Sequence, residues 1–395
     1  MELLTIYTEK EKNWICVLPF SHIHTTTRGE FKLCCMAGRA GKQYHITEDT
    51  IEDWWYSDQL NDIRREFVTG DHNIINKTCH LCKKDEANGV ESDRQWHNRT
   101  FKKFLDDSLD KSIQHFIDTG EYKIHGRQLT LKLTIFGNHC NLSCYTCLPH
   151  FSTRRIKDLN DIGWYDKFER GAHADHDLDA IYPQIEKLLP YTAGIVITGG
   201  EPLLMKKHYQ FLDMIINAGE AKNIHLSYTT NLQLLKLDKH SFLDYVDRFK
   251  KVHVNVSIDG IGKRNDYIRS GSEWNQLMDN YKAIEGKVTR QVFYTTSILS
   301  VFQCMEAIEF FQEIRFDQSV VNEPDFLSIK HLPEDVKEKL RKKFTDPRLK
   351  KVVAELNKDR DDLKFHMALA YIKDLDKIRE TKSYEIFDEL KHLLR

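Results

Sequence analysis

The chain has 395 residues, enough for two or three domains. Its 58 Lys plus Arg nearly balance 60 Asp plus Glu, a formal charge of −2, so no global basic field points to nucleic acid or an anionic membrane surface; only local patches could serve RNA. No window reaches about 18 consecutive apolar residues, and "MELLTIYTEKEKNWICVLPF" has neither a long apolar stretch nor a cleavage site, so the reading is a cytoplasmic chain with no membrane span or signal peptide. Nine cysteines in such a chain are more often ligands or buried thiols than disulfides. They fall into two groups, Cys16, Cys34, Cys35, Cys79 and Cys82, then Cys140, Cys144 and Cys147, with Cys304 apart.

Taken in chain order, "ICVLPFSHIHTTTRGEFKLCC" predicts strand, turn at Arg28-Gly29, strand, with two-residue alternation in "HIHTTT". "TEDTIEDWWYSDQLNDIRREFVTGD" predicts one helix, with Thr50 as N-cap, Asp53 as its capping-box partner and Gly70 as the stop. "KTCHLCKKDEANG" is a knuckle leading into another helix, and residues 101–127 read as a polar helical connector. From there short apolar runs alternate with helical stretches: "LTLKLTIF", "AGIVITGG", "NIHLSYTTN", "KVHVNVSIDG", "QVFYTTSIL" and "DQSVVNEPDFLSI". "KKHYQFLDMIINAGEA" and "SEWNQLMDNYKAIEGK" are two of the intervening helices. This rhythm argues for parallel strands with crossover helices, and six units fit a partial barrel better than a full eight-fold one. The expected class is α/β: a partial (β/α)6 TIM-like barrel over residues 128–333, preceded by a small α+β unit over 1–100 and followed by a charged helical extension over 334–395.

In parallel βα folds chemistry gathers where strands end. "GNHCNLSCYTC" places Cys140, Cys144 and Cys147 in C-x3-C-x2-C spacing just after the first barrel strand. Three thiolates can hold three irons of a [4Fe–4S] cube and leave the fourth open. On spacing alone a zinc loop completed by His139 or His150 is the alternative. The next strand ends carry Gly199, Gly200, Glu201 and Pro202 in "GGEP", Thr230 and Asn231 in "YTTN", then Ser257, Asp259 and Gly260 in "VSIDG", with Arg269 shortly beyond. Each alone reads as a turn or a cap. Their order at successive strand ends is what gives the signal.

With these motifs, residues 128–330 resemble the radical S-adenosylmethionine (SAM) enzymes. The resemblance implies that Cys140, Cys144 and Cys147 bind the cluster and that the open iron takes the amino and carboxylate groups of SAM. Gly199, Gly200, Glu201 and Pro202 then look like the segment receiving the SAM amino group. Thr230, Asn231, Ser257 and Asp259 match polar positions around ribose and methionine, and Arg269 is similar to a basic residue that pairs with the carboxylate. The family often has an aromatic residue before the last cysteine; here that place holds Thr146, with Tyr145 one earlier. The chemistry implied is reductive cleavage of SAM to a 5′-deoxyadenosyl radical that takes hydrogen from a substrate, with an electron donor such as flavodoxin or ferredoxin.

The early cysteines form two half-sites, C-x12-G-x4-C from Cys16 through Gly29 to Cys34, and C-x2-C at Cys79 and Cys82. One four-ligand metal site follows, zinc being the plain reading and Cys35 an alternative to Cys34. Over residues 13–86 this region is similar to the SPASM and twitch modules of radical SAM enzymes. That implies one auxiliary [4Fe–4S] cluster on Cys16, Cys34, Cys79 and Cys82, placed unusually before the barrel. Enzymes with such modules often modify peptides or proteins, which makes a polypeptide the first substrate reading and a nucleoside, nucleotide or small metabolite the second. A reading of another class is a non-catalytic zinc-binding protein, which leaves "GGEP", "TTN" and "SIDG" unexplained. His22, His24 and His80 read as surface or packing histidines, Trp54 and Trp55 as core, and Cys304 as a buried helical thiol rather than a hydrogen donor.

Overall fold

The fold is a computed structural model that describes residues 14–101, 107–168, 174–312 and 314–394. Its centre is an eight-stranded sheet in the order β10-β9-β8-β5-β4-β3-β1-β2. The strands are β1 (His22–Thr25), β2 (Phe31–Lys32), β3 (Leu129–Leu133), β4 (Thr192–Ile197), β5 (His225–Thr230), β8 (Lys251–Ile258), β9 (Thr289–Thr296) and β10 (Arg315–Val320); β6 (Lys236–Leu237) and β7 (His240–Ser241) form a separate hairpin. All neighbours in the large sheet are parallel except β1 and β2. The edges β10 and β2 do not pair, so the sheet stays open.

Alternation explains why these segments are strands. In β5 and β8 every second residue is fully buried, as in Leu226, Tyr228, Val252, Val254 and Val256. That face lies under helices such as Lys206–Asn217, which buries Tyr209, Phe211, Leu212 and Ile215. The opposite face is half-buried and more polar, carrying Lys132, Ser227, Asn255, Ser257 and Phe293. The apolar core is continuous from Ile15 to Leu394. All six barrel strands expected from sequence are present.

The first hundred residues differ from their expectation in two places. "ICVLPF" is not a strand: Pro19 sits in the first turn of a short helix, Leu18–Ser21, and the strand begins only at His22. The helix expected over 50–69 is two helices, Ile51–Trp55 and Asp58–Thr69, because Ser57 turns the chain and caps the second by accepting from Leu60 N. The capping box between Thr50 and Asp53 and the left-handed stop at Gly70 (φ 84°) are both present. β1 adds to β3 in parallel, His22 opposite Thr130 and His24 opposite Lys132, so this unit is hydrogen-bonded into the barrel sheet. Near the C-terminus the strand expected in "DQSVVNEPDFLSI" stops at Val320, and turns Asp325–Leu327 and Ile329–His331 follow Pro324.

Candidate active site

The loop after β3 carries the three thiols into the interior. Cys140 and Cys144 are 9 % and 8 % exposed, Cys147 is half-buried, and together with Leu142 they form a small cluster separate from the main core. The turn after β4 packs directly on this loop. Glu201 N donates to His139 O at 2.8 Å and Gly200 N to Gly137 O at 3.3 Å. A Cβ on Gly200 would stand 2.2 Å from His139 O, so only glycine lets the two backbones meet.

Glu201 ties three strand ends together. Its buried carboxylate accepts from Thr230 Oγ1 at 2.7 Å, Asn231 N at 2.8 Å and Leu203 N at 3.1 Å. Asn231 in turn donates from Nδ2 to Asn141 Oδ1 at 2.9 Å and reaches Cys140 Sγ at 3.9 Å. Burial pushes the Glu201 carboxyl above its ordinary range, and the bonds from Thr230, Asn231 and Leu203 oppose it. One turn further round, Asp259 at the end of β8 accepts from Arg269 Nη1 at 2.8 Å and from Thr295 N at 3.0 Å. Burial works to lower the Arg269 guanidinium, but Cys144 and Asp259 hold it above its usual value. Pro202 opens the turn Pro202–Leu204, and Ser257 lies half-buried on β8 opposite Phe293. Hydrogen bonds thus join Gly200, Glu201, Thr230, Asn231 and Cys140, electrostatics join Arg269 and Asp259 to the thiols, and Ser257 has no hydrogen bond to them among the described residues.

All three thiols are pushed up by burial, Cys140 to about 12 with Cys144 and Glu201 adding to the rise. Buried neutral thiols beside Arg269 suit a cationic metal core that displaces their protons. Among the described residues no three or more His, Cys, Asp or Glu side chains are gathered to hold a metal ion as they stand. One zinc needs four donors on one point. An iron–sulfur cube asks less, since each thiolate meets its own iron and the sulfurs need only border a common space. The trio therefore fits the cube better than zinc.

The N-terminal thiols border a second space. Cys16, Cys34, Cys35, Cys79 and Cys82 line a narrow, partly enclosed cleft together with Trp14, Phe67, Arg94 and His97. Burial raises Cys16, Cys34, Cys79 and Cys82, Cys79 to about 12, and proximity adds to it: Cys34 raises Cys79, and Cys79 raises Cys16. Cys35 is exposed while Cys34 faces Cys16 and Cys82. Arg94 at the rim is fixed by Glu86 at 2.9 Å and by Ile15 O at 2.6 Å. Gly29 makes the turn between Cys16 and Cys34 at φ 85°, where a Cβ would stand 2.8 Å from His45 Nε2. His22 and His24 are buried on β1, His22 against His97 and Phe101 of the helix Asp93–Phe101, with burial holding both imidazoles well below their usual range. His80 is exposed. Trp54 and Trp55 are core. Cys304 is fully buried at the start of the helix Cys304–Phe310, 3.7 Å from Thr296 Oγ1.

The C-terminal helices are expected from sequence to pack across the barrel or connector, but sequence reasoning did not single out the residues that cover the cysteine loop. The helix Asp362–Arg379 lies over it, with Tyr371 OH donating to Tyr145 O at 3.0 Å and Arg379 Nη2 to Ser143 O at 2.7 Å. Tyr145 stacks on Tyr267 with ring centres 5.0 Å apart, and Tyr267 OH donates to Asp376 at 2.7 Å. Tyr145 is therefore an anchor beneath the loop, and its displaced position in "SCYTC" was the one available signal.

Residues 134–302 match the family model described as Radical SAM superfamily, so a radical SAM domain spans this part of the chain. No curated protein matches. Similar solved structures include Streptococcus suis SuiB bound to S-adenosylmethionine, at 15 % identity over 87 % of this chain and 75 % of that one, TM-score 0.40. Streptococcus suis SuiB bound to precursor peptide SuiA is 16 % identical over the same shares, 87 % and 75 %, with a TM-score of 0.41.

Proposed function

We propose that this chain is a radical SAM enzyme whose cluster rests on Cys140, Cys144 and Cys147. The observation that carries the reading is the joining of the three-thiol loop, at Cys140, to two further strand ends through Asn231 and Glu201, inside the matched span. When bound, the cluster and SAM supply reductive cleavage to methionine and a 5′-deoxyadenosyl radical that takes hydrogen from the substrate. The chain's own residues bind and orient. Glu201 offers a buried carboxylate to the SAM amino group, and Arg269, braced by Asp259, offers a cation to its carboxylate. Thr230, Asn231 and Ser257 supply polar contacts around the sugar. The covering helix and the folded cysteine loop keep water from the reacting centre.

The four-thiol cleft supports an auxiliary iron–sulfur cluster on Cys16, Cys34, Cys79 and Cys82, Cys34 being favoured over exposed Cys35. Twitch-like modules of this kind favour a peptide or protein substrate, with a nucleoside or small metabolite second, and a flavodoxin or ferredoxin as electron donor. The proposed setting is cytoplasmic; among the described residues no helix is long and apolar enough to cross a membrane.

The test is 5′-deoxyadenosine formation by the anaerobically reconstituted chain with SAM and a strong reductant, against Cys144→Ala. Production that disappears in the variant is the expected result. Wild-type protein that carries zinc and no iron, or that makes the same amount as the variant, would overturn the reading.

A further inference from the structure

Two buried guanidinium groups lie between the cysteine loop and its covering helix, and among the described residues one carboxylate, Asp158, bonds either of them. Arg155, on the helix Thr153–Asp161, is 0 % exposed. Its Nε donates to Cys147 O at 3.3 Å, and its plane lies over the rings of Tyr371 and Phe168, 5.1 and 5.8 Å from their centres. Neither Nη1 nor Nη2 has an acceptor among the described residues. Arg379 enters from the covering helix. Its Nη2 reaches Asp158 Oδ2 at 2.6 Å and Ser143 Oγ at 3.0 Å, its charge lies 4.6 Å from the Tyr145 ring, and its Nη1 has no acceptor.

A buried cation without an anion is costly, and ring faces offset only part of that. Asp158 answers Arg379, while the nearby pair Arg269 and Asp259 is self-balanced. Among the described residues one positive charge at Arg155 remains unanswered, and its Nε is bonded to the backbone of the cluster-loop residue Cys147. A four-iron cube held by three thiolates is net negative, and each electron it takes up makes it more so.

From this imbalance we infer that Arg155 is the charge complement of the reduced cluster: a positioning residue that stabilises the cube's electron-rich state through Cys147. The inference rests on the radical SAM reading above. It assigns Arg155 to the side of the loop that meets the covering helix and to the redox step, a role separate from SAM binding by Glu201 and Arg269.

The experiment compares full-length wild type, Arg155→Gln and Arg155→Lys after anaerobic reconstitution. Iron and sulfide are measured first. The reduced-cluster paramagnetic signal that changes on adding SAM is then followed in a redox titration. Arg155→Lys should titrate with wild type. Arg155→Gln, at the wild-type midpoint, should show a tenfold or greater fall in the reduced-to-oxidised ratio, equal to about 59 mV for one electron. Loss of the cluster in Gln but not in Lys also supports the inference, since charge then decides retention. Equal titration of all three proteins, or an equal loss in Gln and Lys, overturns it. A wild type without any SAM-responsive signal sinks the radical SAM reading instead, and is seen before the variants are compared.

Discussion

Gly200 and Glu201 show how much the candidate site asks of single residues. Gly200→Ala would drive a methyl into His139 O, 2.2 Å from the ideal Cβ position. We expect a stability loss of about 1–3 kcal/mol, the usual range for overpacking, together with loss of SAM binding, both read by thermal shift with and without SAM. Glu201→Gln keeps the shape but sets an amide against donors from Thr230, Asn231 and Leu203. Calorimetric titration should show SAM bound at least tenfold more weakly, roughly 1.4 kcal/mol. His208 makes a prediction about pH. It is fully buried, bonded through Nε2 to Tyr228 OH at 2.7 Å, and lies near Tyr209 and His240. Burial lowers its imidazole to about 3. Below the unfolded value near 6.5 the unfolded chain takes up a proton that the folded chain refuses. Its contribution is therefore complete above that value and falls by about 1.4 kcal/mol per pH unit below it. Denaturant melts between pH 7 and 5 should show a shallower slope in His208→Gln; an unchanged slope would remove His208 from the account.

Among elements, the barrel strands were legible because period-two alternation with β-branched residues has few other outcomes, and β5 and β8 keep that alternation in their burial. "LPF" misled because its apolar residues are as consistent with a buried helix turn as with a strand, and Pro19 tips the choice. The site motifs were legible because they lie within a few residues of each strand end. Arg155, Tyr371 and Arg379 were not, since a helix pattern names an apolar face without naming what it covers. That covering helix yields a prediction of its own. Tyr371 is fully buried against Tyr145, Trp164, Phe168 and Phe326. Tyr371→Ala should cost about 3–5 kcal/mol by cavity formation, and Tyr371→Phe about 1 kcal/mol through the lost bond to Tyr145 O. Chemical denaturation measures both, and equal losses would mean that the hydroxyl matters more than the ring.

At the scale of the whole molecule, the N-terminal unit is part of the barrel sheet through β1, and its thiol cleft lies beside the helix Asp93–Phe101 that packs on His22. A double variant Cys79→Ala, Cys82→Ala should lose about four irons per chain while its SAM-responsive signal stays. Loss of both signals would mean that the two thiol groups assemble as one unit.

The partners that close the cysteine loop are far apart in sequence: Tyr145 and Tyr371 are separated by 226 residues. A ribosome delivers them in that order, at roughly 5–20 residues per second. For some ten seconds or more the thiols therefore exist without their cover, which is a window for cluster delivery and equally for oxidation. Nascent chains stalled before Asp362 should be alkylated at Cys144 faster than released chains, and the timing of translation then becomes part of how the site is made.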